Sequence, residues 1–511
     1  MSDSLFSRST AAPRPSVALR AAPFRAIVAI ALAVTLGGCI SLAPHYARPA
    51  MPVPNAWPAD APDAPDRSAT AAPPDWREYF TDATLQRLVG KALENNRDLR
   101  IALARVEEAR ASYGLQRSAQ FPTIAASASF LRFRTPGGLL MPNSMTGSLV
   151  NAGFAETSWE LDFWGRVRNL KEAALDEFLA SDDARRAVTV SLIEQVADAY
   201  LRLCEYDERI ALTRATVESR AESLRIFRHR YEVGAISRLD LTQSETLLEQ
   251  AQMLAAQLEQ ARASEAHALA ILVGTDGVER EPRVPGRLDD AGAMREISAG
   301  LPSDLLTRRP DIVAAERRLR AAHANIGAAR AAFFPRITLT SSIGTGSTSL
   351  DGLFRSGTGS WAFLPNLSLP IFDGGRNISN LDLAKARRDE ALAQYEKTIE
   401  SAFRDVSDAL SAKQWLAAQV ESARGIVATQ SERARLAKLR YDSGATPFLE
   451  VLDAQRDLLN AQQQLIQMRR ALLSSRVALY AALGGGATAT APEHAQTAAA
   501  RSPATSDTPL P

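Results

Sequence analysis

The chain has 511 residues, and 59 Lys+Arg against 58 Asp+Glu leave a formal charge of +1, so neither a nucleic-acid-binding basic face nor an acidic tail is indicated. Hydrophobic residues at 46% and charged residues at 23% exclude a wholly disordered chain. A mean hydropathy of −0.14 excludes a polytopic helical membrane protein, and 6% aromatics with abundant alanine favours long helices with thin seams.

Residues 1–38 read as a signal peptide. Arg8, Arg14, Arg20 and Arg25 form a basic leader, and the apolar run from Ala26 to Leu36 is 11 residues long. A membrane span needs about 20, so the run is an export signal. It closes with Leu36-Gly37-Gly38-Cys39, which resembles the lipobox of bacterial lipoproteins. That resemblance implies a covalent lipid on Cys39, and Ile40 at the next position implies the outer membrane; an ordinary signal with an incidental cysteine is the bland alternative. Each acyl CH₂ adds about 0.8 kcal/mol of membrane affinity, so several chains would hold the protein firmly. Residues 39–80, rich in Ala, Pro and Asp, read as an extended lipidated tether, and residues 485–511 as a disordered tail. Cys204 falls in a helical pattern and reads as a small buried hydrophobe.

The middle of the chain is written twice. Asp98-Leu99, Gly114, Arg117 and Phe121-Pro122 recur at an offset of 213 as Asp311-Ile312, Gly327, Arg330 and Phe334-Pro335. Further on, Tyr231-x-x-Gly234-Ala235, Ala251-Gln252 and Gly274 recur at 210 as Tyr441-x-x-Gly444-Ala445, Ala461-Gln462 and Gly484. Two constant offsets separated by a three-residue slip mark a duplicated domain with one loop-length difference. Repeat 1 covers 81–274, a linker 275–300, and repeat 2 covers 301–484.

Each repeat has the same order. A helix (Thr84–Gln120, and about Ser303–Phe333) stops at Phe-Pro. Two β-runs follow, then a long helix from Gly165-Arg166 or Gly374-Gly375-Arg376 to the tyrosine–glycine tip, and a last helix returns to Gly274 or Gly484. Arg166 to Tyr231 and Arg376 to Tyr441 are 66 positions each, or about 100 Å of helix. A 4-3 spacing runs through Val196, Ala199, Ile210, Arg220, Leu224 and Phe227 in the first, and through Tyr395, Ile399, Ala402, Val406 and Val420 in the second, which is a coiled-coil pattern.

The β-runs have roughly the length of a transmembrane strand, 9–11 residues. Ile337, Leu339 and Ile343 alternate with Thr338, Thr340 and Ser342, while Trp361, Phe363, Leu367 and Leu369 oppose Asn366 and Ser368. Pro365 marks a bulge or an edge. Trp159, Leu161 and Phe163 face outward against Glu156, Ser158, Glu160 and Asp162, so Glu156, Glu160 and Asp162 are expected to line a pore. Edge strands of a soluble sheet are the competing reading. Two strands per repeat give four per chain, too few for a barrel of at least about eight. An open sheet in lipid leaves its edge groups unsatisfied, so copies of the chain must pool strands: two copies give eight and three give twelve.

These features, with the run Leu301-Pro302-Ser303-Asp304-Leu305-Leu306-Thr307-Arg308-Arg309-Pro310-Asp311-Ile312, resemble the TolC-type outer membrane factor family, in its lipoprotein branch serving resistance–nodulation–division efflux pumps. The resemblance spans about Trp76 to Gly484. It implies a mainly α fold with a transmembrane β part, assembled as a homotrimer with a 12-stranded β-barrel and a 12-helix periplasmic α-barrel. It implies a passive efflux duct in the cell outer membrane of a Gram-negative bacterium, working with a periplasmic adaptor (membrane fusion) protein and an inner-membrane efflux transporter. By position, the periplasmic gate implied is Tyr231, Tyr441, Asp442, Thr446, Glu450 and Asp453, with Thr446 standing where family members carry a charged gating residue. A solvated helix-face carboxylate is the plainer account of Asp453.

Type I protein secretion is the alternative within the family, and a periplasmic coiled-coil adaptor the alternative outside it. An enzyme is disfavoured: His45, His229, His267, His323 and His494 show no His-Glu-x-x-His spacing, and Gly344-Thr345-Gly346 lacks the lysine of a phosphate loop. No cofactor beyond the lipid, no metal and no nucleic acid is expected.

Overall fold

A computed structural model describes residues 41–57, 73–135, 145–274, 288 and 294–486. The signal region, Cys39 and everything beyond Gly486 lie outside the described residues. The helices are α1 (Trp76–Tyr79), α2 (Ala83–Asn95), α3 (Arg97–Ser118), α4 (Arg166–Glu232), α5 (Arg238–Val273), α6 (Leu305–Arg308), α7 (Pro310–Ala331), α8 (Arg376–Asp442) and α9 (Phe448–Ala482). The strands are β1 (Ile124–Thr135), β2 (Met145–Glu160), β3 (Arg336–Ser347) and β4 (Gly359–Ser368). Among the described residues no helix is long and apolar enough to cross a membrane.

The expected first helix of each repeat is two helices. At Asn96 the backbone turns extended (ψ 134°), the side-chain oxygen accepts from Leu99 N at 3.0 Å, and the amide donates to Leu272 O at 2.9 Å. Arg309 is likewise extended (ψ 118°), because the following Pro310 disfavours helix before it and opens α7. The two breaks stand 213 residues apart, so the duplication preserves the joint while changing its chemistry.

Two compact units cut across the duplication: Ala119–Asn169 and Gly327–Asn377 contribute to one, and the remaining helical segments to the other. The first unit is a four-stranded antiparallel sheet in the order β1-β2-β3-β4, with β1 and β4 as open edges. One face carries Ile124, Phe130, Phe154, Ile343, Trp361 and Phe363, all well exposed. Thr338, Thr340, Ser342 and Asn366 take the alternate registers. Pro365 sits on the edge strand opposite Leu339 with the register unbroken, so it marks an edge and not a bulge. The bulge is in β2, where Thr157 and Ser158 lie between the pairs Glu156↔Ser341 and Trp159↔Leu339. Ser158 takes φ 57° and its N donates to the Thr340 hydroxyl at 3.1 Å. The extra residue reverses the alternation. By register, Glu156 therefore belongs with Trp159, and Glu160 with Thr338 on the other face, which corrects the expected common face of Glu156 and Glu160.

In the second unit α4 and α8 are 67 residues each, one longer than the spacing implied, or about 100 Å of helix. Their heptad positions are buried: Val196, Ala199, Ile210, Leu224 and Phe227 in α4, and Tyr395, Ile399, Ala402, Val406 and Val420 in α8. Arg220 also takes a heptad slot, buried; Nη1 donates to Leu247 O at 2.6 Å while Nε and Nη2 find no partner. Cys204 is buried, and burial pushes its thiol up to about 12.

Of the segment read as a tether, residues 41–57 and 73–80 are described, and they are docked rather than free. Tyr46, Met51, Val53 and Trp57 pack on the core of Leu305, Ile312, Leu319 and the α8 heptads. Trp57 stacks on Phe403 at 5.0 Å and donates to Gly300 O at 2.9 Å. Its last residues, Trp76, Tyr79 and Phe80, are core, with Tyr79 stacked on Tyr480 at 4.2 Å. Gly485 and Gly486, read as the start of the tail, are held in the fold, where Tyr480 hydroxyl donates to Gly485 O at 2.7 Å; the rest of that tail lies outside the described residues. A composition of Ala and Pro concealed a few aromatic anchors.

Candidate functional site

The helix tips repeat each other atom for atom in backbone pattern. Gly234 N and Ala235 N donate to Tyr231 O and Arg230 O at 3.0 and 2.8 Å; Gly444 N and Ala445 N donate to Tyr441 O and Arg440 O, both at 2.9 Å. Gly234 and Gly444 have φ of 74° and 75°, a left-handed conformation that favours glycine. The next helix starts differ. At α5 a capping box joins Ser237 and Asp240, whereas at α9 the cap position is Pro447, with no side-chain bond.

The tips meet through Tyr441. Its hydroxyl accepts from Arg230 Nη1 at 2.7 Å, and its ring joins Phe227 and Phe448, which lie 4.0 Å apart. The other residues expected at the gate are separately held. Lys438 pairs with Asp442 at 2.8 Å, Arg440 with Glu450 at 3.0 Å, and Arg456 with Asp453 at 3.2 Å. Tyr231 stands apart under Arg238, with the guanidinium 5.8 Å from its ring. The Thr446 hydroxyl is buried without a partner. Phe227 is legible in the sequence only as a heptad position, and Arg230 and Phe448 are not singled out there; the aromatic pair at the start of one helix and the end of another is the available signal.

Tyr441→Phe removes one charge-assisted bond, worth about 1–2 kcal/mol at a partly exposed site. Hydrogen exchange at Gly234, Ala235, Gly444 and Ala445 is expected to quicken about five- to thirtyfold, conversion by RT. Unchanged protection would show that the Arg230 contact does not tie the tips.

At the base of the sheet, Glu160, expected to line a pore, is ion-paired within the chain. It is almost wholly buried between Arg166, at 2.7 and 2.8 Å, and Arg336 at 2.7 Å. Asp162 Oδ2 accepts from Arg168 N at 2.8 Å, capping α4, while Oδ1 is buried without a partner. Glu156 is placed by register alone, opposite Ile124 and Ser341. Glu160 and Asp162 thus brace the strand-to-helix joint. Trp164 reinforces it by stacking on Phe334 at 4.8 Å and donating to Pro335 O at 2.8 Å.

Two further polar assemblies went unread in the sequence. Glu316, buried, accepts from Tyr46, Arg48 and Arg320. Arg309, also largely buried, bonds Asp311 at 2.7 Å and Asp405 at 3.4 Å beside a cleft of about 600 Å³ that Glu194 and Asp408 also line. Burial pushes the Glu194 carboxyl above its usual range. Among the described residues no cluster of three His, Cys, Asp or Glu is arranged to hold a metal.

The family described as outer membrane efflux protein matches residues 88–275 and 301–485. Outer membrane protein OprJ of Pseudomonas aeruginosa is 44% identical over 466 residues, covering 91% of this chain and 96% of its own. The solvent efflux pump outer membrane protein SrpC of Pseudomonas putida is 43% identical over 471 residues, covering 91% and 98%. Among solved structures, the open state of the Neisseria gonorrhoeae MtrE outer membrane channel matches with a TM-score of 0.80 at 37% identity, covering 88% of this chain and 99% of that one.

Proposed function

We propose, from the premise that this chain belongs to the outer membrane efflux protein family, that it is the outer membrane duct of a tripartite pump exporting toxic small molecules. The observation that carries the reading is a four-stranded sheet with an apolar face and two open edges, in a chain whose other half is two 67-residue helices and their partners. Edges β1 and β4 cannot stay unpaired in lipid. A homotrimer pairs them between copies, giving a 12-stranded barrel and a 12-helix tunnel.

The duct performs no catalysis. A periplasmic adaptor and an inner-membrane transporter supply the selection and the energy, and opening proceeds at the tips around Tyr441. Relatives named for solvent, toluene and antibiotic efflux support apolar toxic compounds as cargo. Deleting the gene is expected to sensitise cells to such compounds, and the purified protein should form heat-resistant trimers with single-channel conductance. Conductance without sensitisation, but with loss of a secreted protein, would move the assignment to type I secretion.

Lipid on Cys39 is part of the proposal. Cys39→Ala is expected to abolish acyl labelling of the mature protein and to deplete it from the outer membrane fraction several-fold. Retained labelling would place the lipid elsewhere.

A further inference from the structure

The four strands carry few charges, and the register sorts them by end. β1 and β3 start, and β2 and β4 stop, at the end where the chain joins the helices; the loops between β1 and β2 and between β3 and β4 lie at the other. Glu156 and Glu160 are the carboxylates of the strands, and both fall toward the helix end. Of the strand arginines, Arg336 is also at that end and pairs with Glu160 at 2.7 Å. The others, Arg132 and Arg134, are at the loop end of β1.

Both take the registers of the apolar face. Ile124, Phe130, Arg132 and Arg134 share it on β1, opposite Glu156, Val150, Ser148 and Thr146 of β2. The pairing runs unbroken from Ile124 to Thr135, so no bulge turns the strand over. The face itself changes, from Phe130 (68% exposed) to arginine two residues on, about 7 Å further along the strand. Leu131 and Phe133 take the opposite face over the same stretch. A lipid-facing surface that passes from apolar to basic, with the hydroxyls of Ser148 and Thr146 alongside, marks where the apolar band gives way to headgroups.

The two guanidiniums have no counter-charge at hand. Both are exposed, and neither bonds a carboxylate among the described residues. Residues 136–144 contain no Asp or Glu, and Asp351, between β3 and β4, is paired with Arg355 at 3.0 Å. Two residues apart on one strand face is about 7 Å, close enough for two long side chains to close on one phosphate, which guanidinium grips in a bidentate fork. The apolar face beside them favours an amphiphile over a free anion, because acyl chains have Phe130 and its neighbours to lie on. The offset of 213 carries Arg132 and Arg134 to Thr345 and Ser347, so the pair occurs once per chain.

We propose that Arg132 and Arg134 bind the phosphate of an outer-leaflet glycolipid, lipid A, whose acyl chains lie against the Phe130 end of the apolar face. The inference rests on the duct reading above, in which the helix-joined end of the sheet faces the periplasm and the loop end the outer leaflet, and it adds a lipid ligand to that reading. Phosphorylated glycolipid is the chemistry that the outer leaflet of a Gram-negative outer membrane presents at that level. Fixed guanidiniums do there what divalent cations do between neighbouring headgroups, so the bound lipid is expected to stay on the protein when such cations are chelated.

The test uses the full-length protein, purified in mild detergent and stripped of lipid, with chelator present throughout. Bis-phosphorylated lipid A, its dephosphorylated form and phosphatidylglycerol are offered at equal concentration, and adducts are counted by native mass spectrometry. Wild type is expected to retain lipid A at least tenfold more than the dephosphorylated form. Arg132→Gln with Arg134→Gln should lose that preference, whereas Arg355→Gln, at the same end of the sheet but paired with Asp351, should keep it. Equal retention by the double variant, or phosphatidylglycerol held as well as lipid A, overturns the inference. Should the double variant fail to assemble, the wild-type comparison decides alone, since no preference for the phosphorylated form overturns the inference as well. Single-channel conductance of the same samples separates the two readings. A wild type that conducts without preferring phosphate leaves the duct standing and the lipid site refuted; one that does neither overturns both.

Discussion

Gly327→Val is expected to destabilise the protein by about 3 kcal/mol or more, the upper range for forced overpacking, and to remove most of it from the outer membrane. In the sheet-bearing unit, a Cβ at Gly327 would stand 2.5 Å from Asn169 Nδ2 and 2.8 Å from the Cα of Ala43. Neither neighbour can yield easily. Asn169 is fully buried and accepts from Ser41 at 2.9 Å, and Ala43 is backbone of the N-terminal segment, held further by Arg330 to Leu42 O at 3.2 Å. The control is built into the sequence. Gly114 is the same position of repeat 1, yet nothing lies within 4 Å of its Cβ direction. Gly114→Ala in mid-helix is expected to be neutral or stabilising by up to about 1 kcal/mol. Chemical denaturation of the two variants decides the matter: equal losses would show that the glycines are retained for helix packing common to both repeats and not for the passing N-terminal segment.

That pair also shows where sequence reading succeeds and where it stops. The repeated glycine was visible, but a repeat cannot reveal that only one copy has a neighbour, because the neighbour comes from outside the repeat. The long helices were legible because their ends are written locally, by glycine before Arg166 and Arg376 and by the tyrosine–glycine tips. The breaks at Asn96 and Arg309 were not, since the helical pattern continues through both; an Asn aligned with the residue before a Pro was the remaining clue. Alternation along β2 was legible up to Glu156 and reversed beyond it, because a bulge inserts its extra residue without a compositional mark. The family and the efflux function followed from motifs spread over most of the chain. Site chemistry did not. Glu160 and Tyr441 looked free because Arg336 and Arg230 are remote in sequence, and only the fold puts them within hydrogen-bond reach.

Glu316 gives the second large effect, with a sign that pH can test. Its carboxylate accepts four bonds: Tyr46 hydroxyl at 3.1 Å, Arg48 Nε and Nη2 at 3.1 and 2.8 Å, and Arg320 Nη2 at 2.7 Å. Burial pushes the carboxyl up, but the hydrogen bonds and charges of Arg48 and Arg320 outweigh it and hold it below the usual glutamate range. A carboxyl depressed in the folded state stabilises the fold above its unfolded value, and that contribution fades as pH falls from about 4.3 through the folded value. Glu316→Gln keeps the shape and removes the charge. It is expected to cost about 2–3 kcal/mol near neutral pH, below the figure for a fully buried pair because both arginines can turn to water. The loss should shrink as the wild type is acidified and its own carboxyl protonates, so the two stability curves converge on the acid side. Because Tyr46 and Arg48 belong to the N-terminal segment, the variant should also expose that segment to protease before the helices unfold. A constant gap between the curves from neutral pH down to pH 2–3, below the range in which an unfolded glutamate takes up its proton, would show that Glu316 acts through packing and not through its charge.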